Sequence, residues 1–405
     1  MRWGRRSWET IQARARPRRR AGGLAASAVA ALLAGCATLL AGCATPTSQL
    51  PDMPTADVAA ELRRQQVAQI QKYYGELHRV DSVAFRVRTA NVEFCRGWVS
   101  AQIGLYAATP RSLPRKYRSF SSEALNLSWA RPTAISVVED SPAAKAGIAN
   151  GDQIIALNDE LIPVTGTAGW MGGWLRQNGV TPVKVNIRHN DVARTVTVTP
   201  VMGCAIPIDY VTADTANAMT TDKKIVIYSG IVELAKTDAE LAVLIGHELA
   251  HSNLGHLGKT RWNTFLGWAG GIAVDAGIMA GGLSTGGAFR RAFAKSGARA
   301  YSVGFEREAD YVGSYYAARA GYDLTGAEDL WRAIGQVNPN SIQLATTHPI
   351  TPVRVVQMEK VAIEIADKKR HHLPLMPDFK MLQAQRQASD DGNTPKTAEP
   401  ANQHF

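Results

Sequence analysis

The stretch that most constrains this chain is VLIGHELAHSNLGH, residues 243–256. Residues four apart on a helix lie one above the other on the same face. A helix here therefore points His247 and His251 the same way, and two imidazoles so placed can chelate one ion. Glu248, one position on, sits beside that ion without binding it. A fold that keeps this arrangement has to bring a third ligand to the same face from elsewhere in the chain.

Which residue supplies that ligand decides the kind of site. His247-Glu248-x-x-His251 is the H-E-x-x-H pattern of zinc peptidases. Two imidazoles and a third protein ligand leave one zinc position for water. The ion lowers the pKa of that water, and Glu248 is placed to take its proton as it attacks a carbonyl. The metzincin version asks for Gly at 254 and His at 257, and both are leucine here. His256 lies nine positions from His247, about half a turn round the helix, and is expected to face away. The expected ligand is instead a carboxylate of EREAD, residues 306–310. Glu306 and Asp310 repeat the i, i+4 spacing. Glu306 can bind the ion, and Asp310 can hydrogen-bond the outer nitrogen of a ligand histidine. Glu308 points elsewhere. Taken alone, EREAD also reads as a solvated charged face; its pairing with a helical H-E-x-x-H favours the site.

The length of 405 residues allows two domains and a sizeable core. The formal net charge of +10 suggests a polyanion partner only until it is located. Eight arginines and one glutamate in the first twenty residues contribute +7, leaving +3 for the rest, so nucleic acid is not expected. That basic run precedes AGGLAASAVAALLAGCATLLAGCATPTSQLP, an apolar, small-residue segment with the form of an export signal. LAGC occurs twice, ending at Cys36 and Cys43, and resembles the bacterial lipobox, whose cysteine is lipidated and becomes the mature N-terminus. Cys43 is favoured, because a start at Cys36 would leave ATLLAG exposed. A plain cleaved signal and an uncleaved anchor are the alternatives. Ala follows either cysteine, which points to the periplasmic face of the outer membrane. Cys95 and Cys204 remain, and an even pair in an exported chain suggests a disulfide rather than two buried thiols.

TADVAAELRRQQVAQIQKYYGELHRV reads as an amphipathic helix, and SVAFRVRTANVEFC, which alternates, as a strand. TAISVVEDSPAAKAGIANGDQIIALNDELI reads as strand, short helix capped by Ser141 and begun by Pro142, turn at Asn150-Gly151-Asp152, and strand. Two more alternating strands join at His189-Asn190-Asp191. SPAAKAGIANGDQIIALND resembles a PDZ domain, which binds an extended peptide by adding it as a strand. Cys95 and Cys204 flank this module. An inserted domain needs its two chain ends close together, and a disulfide across the neck would hold them. Beyond it, KKIVIYSG reads as a strand, IVELAK as a helix start, and Thr237-Asp238 as the start of the motif helix. FEREADYVGSYYAARAGYD is expected to be a helix closed by Gly321, followed by helices in LTGAEDLWRAIGQV and PVRVVQMEKVAIEIADKK. Residues 266–289 are apolar and glycine-rich, but Asp275 leaves their uncharged runs too short to span a bilayer. They read as helices or a mobile loop over the cleft, or as a lid or a patch for membrane or unfolded substrate.

ANAMTTDKKIVIYSGIVELAKTDAELAVLIGHELAH, FEREADYVGSYYAARAGYD and THPITPVRV together resemble the HtpX/BepA and CAAX-prenyl-protease family of gluzincin zinc endopeptidases over roughly 205–365. The resemblance implies one Zn²⁺ per chain on His247, His251 and Glu306, with Glu248 as base and Asp310 supporting a ligand histidine. It also implies that His348, with Pro349 and Arg354, lies near the active site, where the histidine approaches the metal or the transition-state oxyanion. A His348 that occupies the fourth zinc position would leave the enzyme latent until substrate displaces it. Transmembrane members of this family have several membrane spans, and none is seen here.

The expected fold is α+β: a mainly helical gluzincin zinc-peptidase domain with a small sheet, interrupted by an inserted β-rich PDZ domain. The expected layout is 1–43 lipoprotein signal, 44–56 tether, 57–100 N-terminal part of the peptidase domain, 105–202 PDZ domain, 203–380 peptidase domain and 381–405 disordered tail. The expected function is a lipid-anchored periplasmic metalloendopeptidase acting on proteins, among them misfolded envelope proteins, with a peptide ligand on the PDZ domain. The alternative is a non-catalytic PDZ-containing chaperone or binding lipoprotein, against which the intact Glu248 argues.

Overall fold

A computed structural model describes residues 48, 50–95, 97–280, 285–339, 348 and 350–379, the side chains of 277, 294 and 296–302 aside. The expected signal, both lipobox cysteines, Pro349 and the 381–405 tail lie outside the described residues. The chain divides into Met1–Ala59 and Ala60–Phe405. Of the described elements, the former unit holds only the start of the first long helix, and all the others belong to the latter.

That helix, α1, spans Thr55–Ala90 and overturns the strand expected over 82–95. Ile70, Tyr74, Leu77, Val80, Val83, Ala84 and Val87 are all buried. Their three- and four-residue steps continue one helical face through the segment whose short alternation looked like a strand. Only a 3₁₀ turn, Val92–Phe94, follows before Cys95.

The chain then leaves for a β-rich unit and returns. β1, Val99–Gln102, leads out, and β8, Val201–Cys204, leads back; the two pair antiparallel with Val99 opposite Cys204. At the base of this neck Cys95 and Cys204 form a disulfide, with Cα atoms 5.4 Å apart. Between them lie β2 (Leu105–Ala108), β3 (Thr133–Val137), β4 (Gln153–Leu157), β5 (Glu160–Leu161), β6 (Val183–His189) and β7 (Val192–Val198). The sheet order is β2-β3-β4-β6-β7, with β5 paired to β4. Three helices accompany it: α2 (Ser121–Leu125), α3 (Pro142–Lys145) and α4 (Thr167–Asn178). Ser141 caps α3 by accepting from Ala144 N at 3.2 Å. Asn190 and Asp191 take positive φ in the β6–β7 turn, where their short polar side chains are tolerated.

This unit has its own core, including Ile154, Leu157, Trp174, Val185 and Ile187. Not every residue between the cysteines joins it. Leu113, Tyr117 and Leu127 pack into the larger core with α1 instead, and Tyr117 lies 5.0 Å from Tyr73, ring centre to ring centre.

After the neck comes a small sheet ordered β10-β11-β9: β9 (Ile208–Val211), β10 (Ala218–Thr220) and β11 (Ile225–Tyr228). β10 lies at its edge. The rest is helical: α5 (Ser229–Leu234), α6 (Asp238–Asn253), α7 (His256–Ala280), α8 (Ala288–Arg319), α9 (Asp329–Val337) and α10 (Pro352–Arg370). Residues 266–280 are thus part of a helix, and α8 follows after a short connection. Gly321, at φ +93°, follows the end of α8, a conformation that suits a residue without Cβ. No helix among the described residues is long and apolar enough to cross a membrane.

Candidate metal centre

The H-E-x-x-H residues lie on α6. Its start is fixed by a capping box: Thr237 Oγ1 accepts from Glu240 N at 3.2 Å, and Glu240 accepts from Thr237 N at 3.2 Å. Leu241, Ala242, Val243, Ile245, Leu249 and Ala250 are fully buried, so α6 runs through the middle of the larger core. The histidines therefore start from a rigid base, away from solvent.

α8 lies across α6 and brings its carboxylates to the histidines. His247 Nε2 and His251 Nε2 face each other at 3.0 Å. Glu306 closes the triangle, with Oε2 at 3.4 Å from His247 Nε2 and Oε1 at 3.2 Å from His251 Nε2. Ligand bonds of about 2.0–2.1 Å in a tetrahedron put donors roughly 3.3 Å apart. The three donors match that spacing, and the two ring nitrogens converge as a shared cation requires. His348 completes the group, with all four donor atoms within 4.8 Å of one another. Its Nδ1 stands 3.0–3.1 Å from the Glu306 oxygens, and its Nε2 lies 3.9 Å from Glu248 Oε1. The residue set and its spacing fit zinc.

Asp310 and Arg354 support this group from behind. His247 Nδ1 faces Asp310 Oδ1 at 2.9 Å. Arg354, 1% exposed, grips Asp310 with two bonds of 2.7 and 2.8 Å and reaches Glu306 Oε2 at 2.9 Å. One guanidinium thus spans two buried carboxylates, a geometry that lysine cannot copy. The charge states reflect this packing. Burial works against charge on Glu306, but the His348 charge and bonds from His247 and His251 hold its carboxyl well below the usual range. Burial likewise works against Asp310, and Arg354 outweighs it. Burial opposes charge on His247, yet the Asp310 and Glu306 carboxylates beside it lift it to about 9. Burial carries His251 down to about 4.

Glu248 is buried and held in place. Thr220, at the end of edge strand β10, donates its hydroxyl to Glu248 Oε2 at 2.6 Å. The carboxylate opens onto a cleft of about 140 Å³ lined by Asn217, Ala218, His247, Trp331, His348 and Arg354. The cleft therefore joins the base, a donor and the sheet edge.

Residues 205–362 match peptidase family M48. This segment contains α6, α8, every donor and Arg354, and excludes the β-rich unit. The chain is also 29% identical over 133 residues to the mitochondrial metalloendopeptidase OMA1 of Arabidopsis thaliana, covering 31% of this chain and 25% of that one. It is 25% identical over 168 residues to the mitochondrial metalloendopeptidase OMA1 of Schizosaccharomyces pombe, covering 39% of this chain and 48% of that one. The chain thus spans about a quarter and about half the length of these relatives.

Within the M48-matching segment, His256 departs from the sequence expectation. It does not face away along α6, because α6 ends at Asn253 and Gly255, at φ +67°, turns the chain. His256 opens α7 and folds back, its Nδ1 3.0 Å from His251 Nδ1. Its Nε2 meets Glu308 at 3.1 Å, and its ring stacks on Phe305 at 4.6 Å. Glu308 points away from the donors, as expected, and takes hold of His256. Thr220, Gly246 and Gly313 also shape the site without any sequence signal that singles them out.

Proposed function

We propose that this chain is a zinc metalloendopeptidase. The observation that carries the reading is the His247–His251–Glu306 triangle at tetrahedral spacing, with Glu248 lining the same cleft as His247. Bound there, zinc supplies Lewis acidity toward a water molecule and the scissile carbonyl. Glu248 accepts the proton released as the water attacks and passes it to the leaving amine. Thr220 keeps the Glu248 oxygen aimed into the cleft. His348, on the cleft wall, stands where it can occupy the fourth ligand position until substrate displaces it, and Arg354 holds Asp310 and Glu306 in place. An extended substrate adds to the open edge of β10, which brings its backbone past Glu248.

Two features extend the proposal. The β-rich unit is read as a PDZ domain: SPAAKAGIANGDQIIALND forms α3 and β4, and edge strand β2 lies beside α4, where an extended peptide adds to the sheet. The LAGC repeats support a lipid anchor in the periplasm, at the outer membrane, and misfolded envelope proteins as substrates rest on the resemblance to the HtpX/BepA family.

The test is zinc content and casein cleavage by wild type beside Glu248→Gln. Zinc in both, with cleavage only by wild type, is expected. Absence of zinc from both would refute the metal centre, and undiminished cleavage by Glu248→Gln would refute the base.

A further inference from the structure

α7 and the first part of α8 form a helical hairpin that the peptidase reading does not use. It is rigid. An added Cβ on Gly271 would stand 2.3 Å from Arg290 Cα, so the two backbones touch. Asp275, buried, accepts from Phe289 N at 3.3 Å and Arg290 N at 3.0 Å, and also from the Thr285 hydroxyl, capping the start of α8.

This hairpin nevertheless leaves large apolar side chains in solvent. Trp262 is 59% exposed, Phe265 50%, Trp268 43% and Met279 63%. Trp262, Phe265 and Trp268 recur every three residues, and their rings stack in sequence at 5.6 and 6.1 Å. On α8, Phe289 and Phe293 are exposed one helical turn apart. The same elements carry Lys259, Arg261, Arg290, Arg291 and Lys295, all exposed. Between His256 and Val303 the only acidic residue is Asp275, which is spent inside as a cap. Of these cations Arg261 pairs with Asp222 at 2.8 Å, and tryptophan beside such a cluster of Lys and Arg is the composition of a surface that lies among lipid headgroups. Protein interfaces share its aromatics and arginines but are depleted in lysine, and two of its five cations, Lys259 and Lys295, are lysines.

We infer that the α7–α8 hairpin docks on an anionic phospholipid bilayer, its aromatic residues in the headgroup layer and its cations on the phosphates, without crossing it. The inference is independent of the peptidase reading. Its consequence is positional. Phe293 and Glu306 share α8, thirteen residues apart, so docking holds the metal centre roughly 20 Å along the helix from the membrane contact. Such a centre would act on chain emerging near the bilayer surface.

The test is co-sedimentation with vesicles of phosphatidylcholine, with and without phosphatidylglycerol. The chain used begins at Leu50, which removes the basic leader and retains every residue of both cores. Wild type is expected to prefer the anionic vesicles. Arg290→Gln/Arg291→Gln should lower that affinity roughly 25-fold at low salt, from about fivefold per cation. Trp262→Ser/Phe265→Ser/Trp268→Ser should lower binding to both vesicle types while circular dichroism stays unchanged. Variants that bind as wild type does would overturn the inference. So would a dimer in sedimentation equilibrium that the serine variant abolishes without vesicle binding by wild type, which would assign this surface to a second copy.

Discussion

Gly246 and Gly313 touch backbone to backbone where α6 crosses α8. An added Cβ on Gly246 would stand 2.4 Å from Gly313 O, and one on Gly313 would stand 2.5 Å from His247 N. This close crossing is what lets Glu306 and Asp310 reach His247 and His251. The neighbour in each case is backbone, so neither helix can yield without moving the ligands. Gly313→Ala should cost about 1–3 kcal/mol and lower zinc occupancy with it. Gly304→Ala on the same helix meets nothing within 4 Å and should be neutral or stabilising. Thermal melts with zinc analysis check the pair. Equal behaviour of the two variants would rule out the crossing as the element that sets the ligands.

Much of the site is legible in the sequence because helical spacing is short-range arithmetic. His247, Glu248 and His251 follow from one turn of helix, and Glu306 with Asp310 from another. The crossing that joins them is not legible, because a glycine inside a helix gives no sign of what it will touch. His256 escapes a helical-wheel reading because extending α6 past Asn253 ignores the turn at Gly255. The strand expected over 82–95 fails for a different reason. Val83, Phe85 and Val87 alternate locally, but Ile70, Tyr74, Leu77, Val80, Ala84 and Val87 keep a helical step over a longer window, and the longer pattern decides.

His256 should tune the metal without binding it. It sits on the outer nitrogen of His251 and is itself held by Glu308. Partners of this kind, when removed, typically cost about 10–100-fold in metal affinity. His256→Phe keeps a ring against Phe305 and removes both nitrogens. Competition with a chromophoric chelator should show weaker zinc binding, with the fold unchanged by circular dichroism. Glu308→Gln should show a smaller loss in the same direction. Unchanged affinity in both variants would reduce His256 to a packing residue.

His348 is poised against Glu306 and close to the other donors, where it can occupy the fourth ligand position. Removing it should then relieve latency. His348→Ala is expected to raise cleavage of a small unstructured peptide by a factor of about three or more, from the larger fraction of competent sites. Zinc content should stay at one per chain. A rate equal to wild type, or lower, would instead leave His348 the role of facing the developing negative charge.

Asp81, on α1, predicts a pH dependence unrelated to the metal. Its Oδ2 is buried without a hydrogen-bond partner. Burial lifts its carboxyl to about 7, with Arg88 pulling the other way. A carboxyl whose pKa is higher folded than unfolded holds its proton more tightly in the folded state. Stability then falls as pH rises from about 4 towards 7, by at most about 1.4 kcal/mol per pH unit from this one group. Asp81→Asn carries no such titration. The difference in urea unfolding free energy between wild type and Asp81→Asn should slope across that window and flatten above it. Parallel curves from pH 4 to 8 would show that Asp81 ionises in the folded chain much as it does in the unfolded one.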